Sequence, residues 1–283
     1  MKETGFLLHS SLLFNPLVCQ EIAVTDDYLN RFAGIARLYG QPALEKFSSS
    51  HAMIIGLGGV GSWVAEALAR SGIGKFSLVD LDDLCVTNIN RQIHATTDTI
   101  GKSKATVLSD RLRAINPEVG IIMRQTFYNE RTSDEILLRE KPDIVLDAID
   151  SSRSKVHLLT TCRDQKIPVI TSGGVGGRRD ASLVKVDDLS RAHGDTLLSG
   201  VRRQLRTRYR FPAAKKKGGR FDIPAVFSPE PRLYPQCDGS ISNEKPEEHK
   251  GDLRCDAGYG AATHVTATFG NLMAGLALAS LAE

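Results

Sequence analysis

No two cysteines in this chain stand close enough to form a C-x-x-C pair. The five present (Cys19, Cys85, Cys162, Cys237 and Cys255) are odd in number and widely spaced. Neither a zinc ribbon nor a disulfide framework is therefore expected, and reduced, intracellular thiols are. An excess of one charge is also lacking. Lys and Arg number 36 against 33 Asp and Glu, a net charge of +3 that implies no partner by itself. Lys2 stands beside Glu3 and no small-residue cleavage site follows, so no secretion signal is expected. The apolar run 265–282 is interrupted by Thr266, Thr268, Asn271 and Ser280 and lacks basic anchors. It reads as a buried helix, or one packed on a partner subunit, rather than a membrane span. These absences leave a cytoplasmic protein of 283 residues, long enough for one large domain or one domain with appendages.

What is present is concentrated in residues 52–92. Ala52 to Ile55 is a short apolar run suited to a buried parallel strand. Gly56, Gly58, Gly59 and Gly61 follow, then a helix-like segment from Trp63 to Ala69 and a second strand, Lys75 to Val79, ending in Asp80. Strand, glycine turn, helix, strand and terminal acid make the first unit of a nucleotide-binding α/β sheet. One glycine permits the turn, one lets backbone approach phosphate, and one lets helix and strand pack. Asp80 lies where such folds place the carboxylate for the ribose hydroxyls. The pattern does not choose the nucleotide, but Asp82, Asn88, Arg91 and Gln92 crowd just beyond Asp80. A redox cofactor needs no such cluster, whereas a triphosphate needs guanidinium, ammonium or metal. Lys104 supplies an ammonium at the start of a helix whose apolar positions are Ala105, Leu108, Leu112 and Ile115.

Further along, 119–124 reads as a strand, and Thr132-x-x-Glu135 as a capping box opening a short helix. Asp143 to Asp150 reads as a strand with Asp147 and Asp150 at its ligand-binding end. Asp150 is a candidate for Mg²⁺ or for ordering the reacting phosphate, with helix capping as its structural alternative. A helix over 153–165 and a strand over 168–171 come next. The second glycine cluster, Gly173 to Gly177, reads as a tight strand-to-strand connection lining a pocket, leading to a strand over 182–186. Residues 26–47 read as helical with a break at Gly40-Gln41-Pro42; Arg31 and Arg37 sit on this arm. Between Val201 and Phe221 lie Arg202, Arg203, Arg206, Arg208, Arg210, Lys215, Lys216, Lys217 and Arg220 without one acid, interleaved with Tyr209 and Phe211. That single-signed stretch reads as a contact for RNA phosphates, with its aromatics able to stack on bases. Residues 228–250 read as loop.

Gly-x-Gly-Gly-x-Gly, Asp80-x-Asp82, Asn88-x-x-Arg91-Gln92, Lys104 and Asp150 together resemble the ubiquitin-activating-enzyme superfamily, which adenylates carboxylates with ATP. The arm Arg31-Phe-x-Gly-x-x-Arg37-Leu-Tyr-Gly40, the motif 87–94, Tyr234-Pro235-Gln236 and 258–270 resemble, within it, the tRNA threonylcarbamoyladenosine dehydratases. The missing C-x-x-C pairs agree, since many sulfur-carrier activators have them. The resemblance implies a Rossmann-like α/β fold, a mostly parallel twisted sheet with helices on both faces and a C-terminal extension. It divides the chain into an N-terminal segment and helical arm (1–50), an ATP-binding adenylation domain (51–186) and a C-terminal basic, tRNA-facing region with the terminal helix (187–283). It implies ATP and Mg²⁺, a tRNA substrate carrying threonylcarbamoyladenosine, and a homodimer in which Arg31 or Arg37 reaches the other subunit. Catalytic roles fall to Arg91, Lys104, Asp150 and Arg37. Cofactor binding falls to Gly56, Gly58, Gly59, Gly61, Asp80, Asp82, Asn88 and Gln92. Some relatives carry a cysteine after Tyr-Pro-Gln proposed to engage a sulfur-relay protein; here Ser242 holds that place, with Cys237 nearer. The alternatives are an activator of a ubiquitin-like or sulfur-carrier protein, a non-catalytic nucleotide-gated RNA-binding module, and a dehydrogenase, which would leave Asn88, Arg91, Gln92 and Lys104 without a shared task.

Overall fold

The structure is a computed structural model that describes residues 24–213, 219–236, 238–245 and 259–283. Its frame is a seven-stranded sheet of order β3-β2-β1-β4-β5-β7-β6. The strands are β1 (His51–Ile55), β2 (Lys75–Val79), β3 (Gly120–Arg124), β4 (Ile144–Asp147), β5 (Val169–Ser172), β6 (Lys185–Asp188) and β7 (Pro224–Phe227). All neighbours run parallel except β6, which is antiparallel to β7. β1 pairs on both sides and every one of its residues is buried, which is why its text is apolar without alternation. The side chains still obey the period of two: Ala52 and Ile54 join one core cluster, Met53 and Ile55 the other.

The first cluster is covered by α3 (Gly61–Arg70), α4 (Lys104–Ile115) and α7 (Thr263–Ala282), the second by α5 (Ser152–Gln165) and α6 (Thr196–Arg208). The Rossmann-like α/β expectation is met. α7 is long and apolar enough to cross a membrane by length and composition. Here its Val265, Phe269, Met273, Ala277 and Leu278 belong to the first core cluster. Gly270 permits the close approach to α3, since a Cβ there would lie 2.6 Å from Trp63 Cβ and 2.9 Å from the Val60 carbonyl oxygen. The arm forms α1 (Asp26–Tyr39) and α2 (Gln41–Ser49), broken at Gly40 as the sequence predicts. It sits at the amino edge of the sheet: Gly74 N–H donates to Phe47 O at 2.9 Å and Lys75 N–H to Ser50 O at 3.1 Å.

Three local expectations are corrected. The Thr132/Glu135 capping box does not form: Asn129 Oδ1 accepts from Arg131 N–H at 2.8 Å, while Glu135 pairs with Arg124. The segment becomes a five-residue π turn, Asp134–Leu138. The glycine cluster at 173–177 does not join neighbouring strands, because β7 lies between β5 and β6. And β7 comes from beyond residue 186, so the sheet draws on the stretch expected to form the C-terminal region. Its short Pro-Ala-Val-Phe text is four residues among loop signals, and only pairing with β5 and β6 makes it a strand.

Candidate active site

Strand order reverses between β1 and β4, and in open α/β sheets ligands bind outside the carboxyl ends of the strands at such a point. The glycine loop leaves β1 here. Gly56 has φ +90, and a Cβ on it would lie 2.8 Å from the Ala148 carbonyl oxygen. Gly61 opens α3 with a Cβ position only 1.8 Å from Gly56 O, so this is the glycine that lets helix and strand close up. Gly58 is different. A Cβ there would meet nothing nearer than Gln92 Nε2 at 4.0 Å. That unfilled space before a helix N-terminus is what an approaching phosphate requires. Gln92 is buried, and its Oε1 has no hydrogen-bond partner among the described residues. A buried acceptor left over beside the loop fits a donor brought by a ligand.

Asp80 holds the loop and retains capacity for a ligand. Its Oδ2 accepts from Leu57 N–H at 2.7 Å and its Oδ1 from Asp82 N–H at 2.9 Å. A carboxylate has about four lone-pair sites, so two remain for ribose hydroxyls. Asn88 is buried and uses Oδ1 to accept from Cys85 N–H at 3.1 Å; its carbonyl then receives the N–H groups of Arg91 and Gln92. In this geometry Asn88 shapes the turn that presents Arg91. The guanidinium of Arg91 rests on that turn, donating to Thr87 O at 2.6 Å and Asn90 Oδ1 at 3.2 Å. Its stem covers Gly59, whose Cβ position lies 3.4 Å from Arg91 Cγ. Lys104, buried, donates to Asp82 Oδ2 at 2.8 Å. An ammonium has three donors, so this pairing leaves others to meet phosphate.

At the end of β4 the two acids separate. Asp147 is fully buried, paired with Lys155 at 2.7 Å and bonded to Thr171 Oγ1 at 2.7 Å. Asp150 is exposed, and Ser151, not Asp150, caps α5 by accepting from Ser154 N–H. The capping alternative for Asp150 is thereby removed. Among the described residues no cluster of three or more His, Cys, Asp or Glu could hold a metal. A single carboxylate suits Mg²⁺, which takes one or two protein oxygens and completes its shell with phosphates and water. A cavity of about 340 Å³ lies further along the edge, beyond Asp150, where Arg153 pairs with Glu130.

Residues 29–283 match the model of the ThiF family. The chain belongs to that family. It is 44% identical over 252 residues to the tRNA threonylcarbamoyladenosine dehydratase of Escherichia coli K12, covering 88% of this chain and 92% of that protein. It is 45% identical over 249 residues, with the same coverage, to the dehydratase of that name from Haemophilus influenzae. A solved structure of the Escherichia coli tRNA N6-threonylcarbamoyladenosine dehydratase in complex with ATP superposes with a TM-score of 0.80 at 39% identity, covering 92% of this chain and 97% of that one.

Within this ThiF-family chain several expected residues lie away from the loop. Arg31 is paired with Asp27 and Arg37 is exposed, both on α1 at the amino edge. α7 runs from the loop to the arm: its first turn bonds Arg91 O through Thr266, and about 24 Å further on, at 1.5 Å per residue, Lys46 of α2 donates to Ala282 O at 3.2 Å. In the basic run, Arg203, Arg208 and Arg210 are exposed. Arg206 instead stacks on Phe221 at 5.0 Å and donates to Ser190 O. Burial, then the neighbouring Arg206 charge, lowers the affinity of half-buried Arg202 for its proton. Phe211 is buried against Phe221 in the core and is an anchor, not a base-stacking surface, while Tyr209 is half-buried against the same cluster. Lys215, Lys216 and Lys217, like Cys19, Cys237 and Cys255, lie outside the described residues.

Two features have roles that the motifs containing them did not reveal. Trp63 and Thr266 clamp the Arg91 carbonyl at 3.1 and 3.2 Å from opposite helices. His94 is buried with neither ring nitrogen hydrogen-bonded among the described residues. Burial, then the positive charges of Lys104 and Arg111, pull its pKa down to about 4, so the ring is neutral beside the cationic site.

Proposed function

We propose that the loop at Gly56–Gly61 binds ATP and that the chain adenylates the carboxylate of threonylcarbamoyladenosine in tRNA, closing it into a ring with net loss of water. The observation that carries this reading is the open space at Gly58, bordered by Gln92 with its orphaned oxygen and followed by Gly59, which the Arg91 stem covers. Hydroxide is a poor leaving group, so a free carboxylate resists attack. When its oxygen displaces pyrophosphate from the α-phosphorus of ATP, a mixed anhydride forms. A nitrogen of the same side chain then attacks the carbonyl carbon, the bond to the adenylate oxygen breaks, and AMP leaves. Both partners belong to one side chain, so proximity supplies much of the rate.

In this reading Arg91 and Lys104 stabilise charge developing on the α-phosphate and pyrophosphate. Asp80 takes the ribose hydroxyls. Mg²⁺, carried in with the triphosphate and held by Asp150, would screen the same charge. Arg37 acts from the second subunit of a homodimer; its exposure on α1 supports that role. Arg203, Arg208 and Arg210 meet tRNA phosphates away from the reacting base. A tRNA-modifying enzyme of this kind works in the cytoplasm.

The test is mass spectrometry of nucleosides from threonylcarbamoylated tRNA treated with the protein and ATP. Loss of one water from the modified nucleoside, matched by AMP and pyrophosphate, is expected. Arg91→Ala and Asp150→Ala should abolish it while tRNA still binds. Equal turnover in either variant would remove that residue from the mechanism, and ATP consumption independent of the modified tRNA would remove the function.

A further inference from the structure

Beyond the nucleotide cradle, three separate segments converge at the carboxyl end of β5. Leu233 N–H donates to Gly177 O at 2.8 Å, and Gly177 N–H donates to Gly260 O at 2.7 Å. This brings Arg232 and Tyr234 on one side, and Tyr259 on the other, around the loop 174–177. The guanidinium of Arg232 lies 4.8 Å over the Tyr259 ring, and Tyr234 meets that ring edge-on at 5.3 Å. Two glycines exist to admit them: a Cβ on Gly174 would fall 2.5 Å from Arg232 Nη2, and one on Gly176 would fall 2.7 Å from Tyr259 Cβ. Arg232 makes no ion pair or hydrogen bond among the described residues, and its Nε is buried without a partner. Tyr259 is 41% exposed.

The platform is held rigidly from beneath. Arg178, wholly buried, donates to Gly174 O at 2.9 Å and Glu230 O at 2.6 Å, and pairs with buried Asp195 at 3.1 Å. Glu230 in turn accepts from the N–H groups of Arg179 and Asp180. A buried arginine tying together the loops under an exposed tyrosine and a guanidinium laid over its ring is the construction of a preorganised binding surface.

The spacing of the strands that lead to platform and cradle is of the proposed substrate's length. β1, which carries the glycine loop, and β5 are separated by β4 alone, so their ends lie two strand spacings apart, about 9.5 Å. From the purine N6 to the carboxylate carbon of the threonylcarbamoyl group run four bonds, roughly 5 Å at 1.3–1.5 Å each with bond angles. The purine's own half-width makes up most of the remainder. A carboxylate placed at the α-phosphate therefore sets its purine over β5. The chain itself spans the same interval: two residues after Tyr259, Ala261 O accepts from Asn90 Nδ2 at 2.7 Å, next to Arg91. Single-stranded RNA bases are held in this manner, splayed against aromatic rings and arginine planes.

We propose that Arg232, Tyr234 and Tyr259 seat the purine of the acceptor nucleoside, an inference that rests on the tRNA-modifying reading above. Tyr259 and Arg232 supply the flat face, Tyr234 buttresses it, and the side chain reaches across β4 to the cradle. The test compares wild type, Tyr259→Phe and Tyr259→Ala on a threonylcarbamoylated anticodon stem-loop, with ATP affinity and Tm measured in parallel. Tyr259→Ala should raise the KM for the stem-loop roughly 5- to 150-fold, the range for loss of one base–aromatic stack. Tyr259→Phe should stay within threefold of wild type, and all three proteins should bind ATP within twofold. Stem-loops bearing plain adenosine or uridine at the modified position should compete unequally against wild type and equally against Tyr259→Ala. An unchanged stem-loop KM in Tyr259→Ala, or a parallel loss of ATP affinity and Tm marking a structural role, would overturn the seat. Wild type failing to dehydrate the stem-loop and whole tRNA alike would instead overturn the reading beneath it.

Discussion

Replacing Lys155 by Met strips the buried Asp147 carboxylate of the one cation that pairs with it among the described residues. Lys155 Nζ lies 2.7 Å from Asp147 Oδ2 and 3.1 Å from Thr171 Oγ1, and both side chains of the pair are wholly buried. In Lys155→Met the carboxylate keeps only the Thr171 hydroxyl and the Ile149 N–H, which donates to Oδ1 at 3.1 Å. Breaking a buried pair from one side costs about 3–5 kcal/mol, because the surviving charge is uncompensated. Against a whole-protein margin of about 5–15 kcal/mol that is a large fraction. Removing both partners, as Asp147→Leu with Lys155→Met, should return most of the loss, since apolar replacement of a buried pair is often neutral. Urea unfolding followed by circular dichroism gives the comparison, with midpoints read at constant m-value. The single variant should unfold at clearly lower urea and the double variant near wild type. A loss below about 1 kcal/mol in the single variant, or a double variant no better than the single, would refute the argument that pairing keeps Asp147 in the core. Because Asp147 also orders the Ile149 N–H three residues before Ser152, turnover of the single variant should drop with Asp150 displaced.

The glycines separate by the same logic: Gly61→Ala should fail to fold stably, since its Cβ would overlap Gly56 O at 1.8 Å, whereas Gly58→Ala should fold and lose ATP affinity tenfold or more by calorimetry. If both variants bind ATP as wild type does, the cradle is elsewhere. His94 titrates near 4 in the folded chain and near 6.5 when unfolded, so the unfolded state takes the proton first. Stability is then level above pH 6.5 and falls as pH drops from 6.5 to 4, by up to about 3 kcal/mol; His94→Gln should flatten that limb in denaturant titrations across pH, and an unaltered limb would assign it to other groups. Lys104→Met should leave the unfolding midpoint nearly unchanged, because half-exposed Asp82 can be solvated, while adenylation slows by roughly 10²-fold; a rate within threefold of wild type would make Lys104 a partner of Asp82 alone.

The glycine unit and its helices were legible in the chain because their information is local. A buried parallel strand must be apolar throughout, a turn with positive φ selects Gly56, and a helix at 3.6 residues per turn repeats Ala105, Leu108 and Leu112. The strands 75–79 and 120–124 and the helix break at Gly40 follow from text within a few residues of each. Roles decided by distant neighbours were not legible. Asp147 and Asp150 look equivalent in one line of letters; Lys155 on a helix and Thr171 on another strand bury the first and leave the second exposed. Phe211 looked like a base-stacking ring until Phe221 closed over it, and Pro224–Phe227 became a strand only between β5 and β6. The convergence of Arg232, Tyr234 and Tyr259 also belongs to tertiary structure, since its members are drawn together by hydrogen bonds to Gly177 rather than by spacing. What the sequence alone determined is the kind of fold and the chemistry it can hold, because backbone preference and periodic burial are written residue by residue. Which acids, rings and cations face that chemistry was decided only when the sheet brought strands from 51 to 227 side by side, because burial and pairing depend on neighbours far away in the chain.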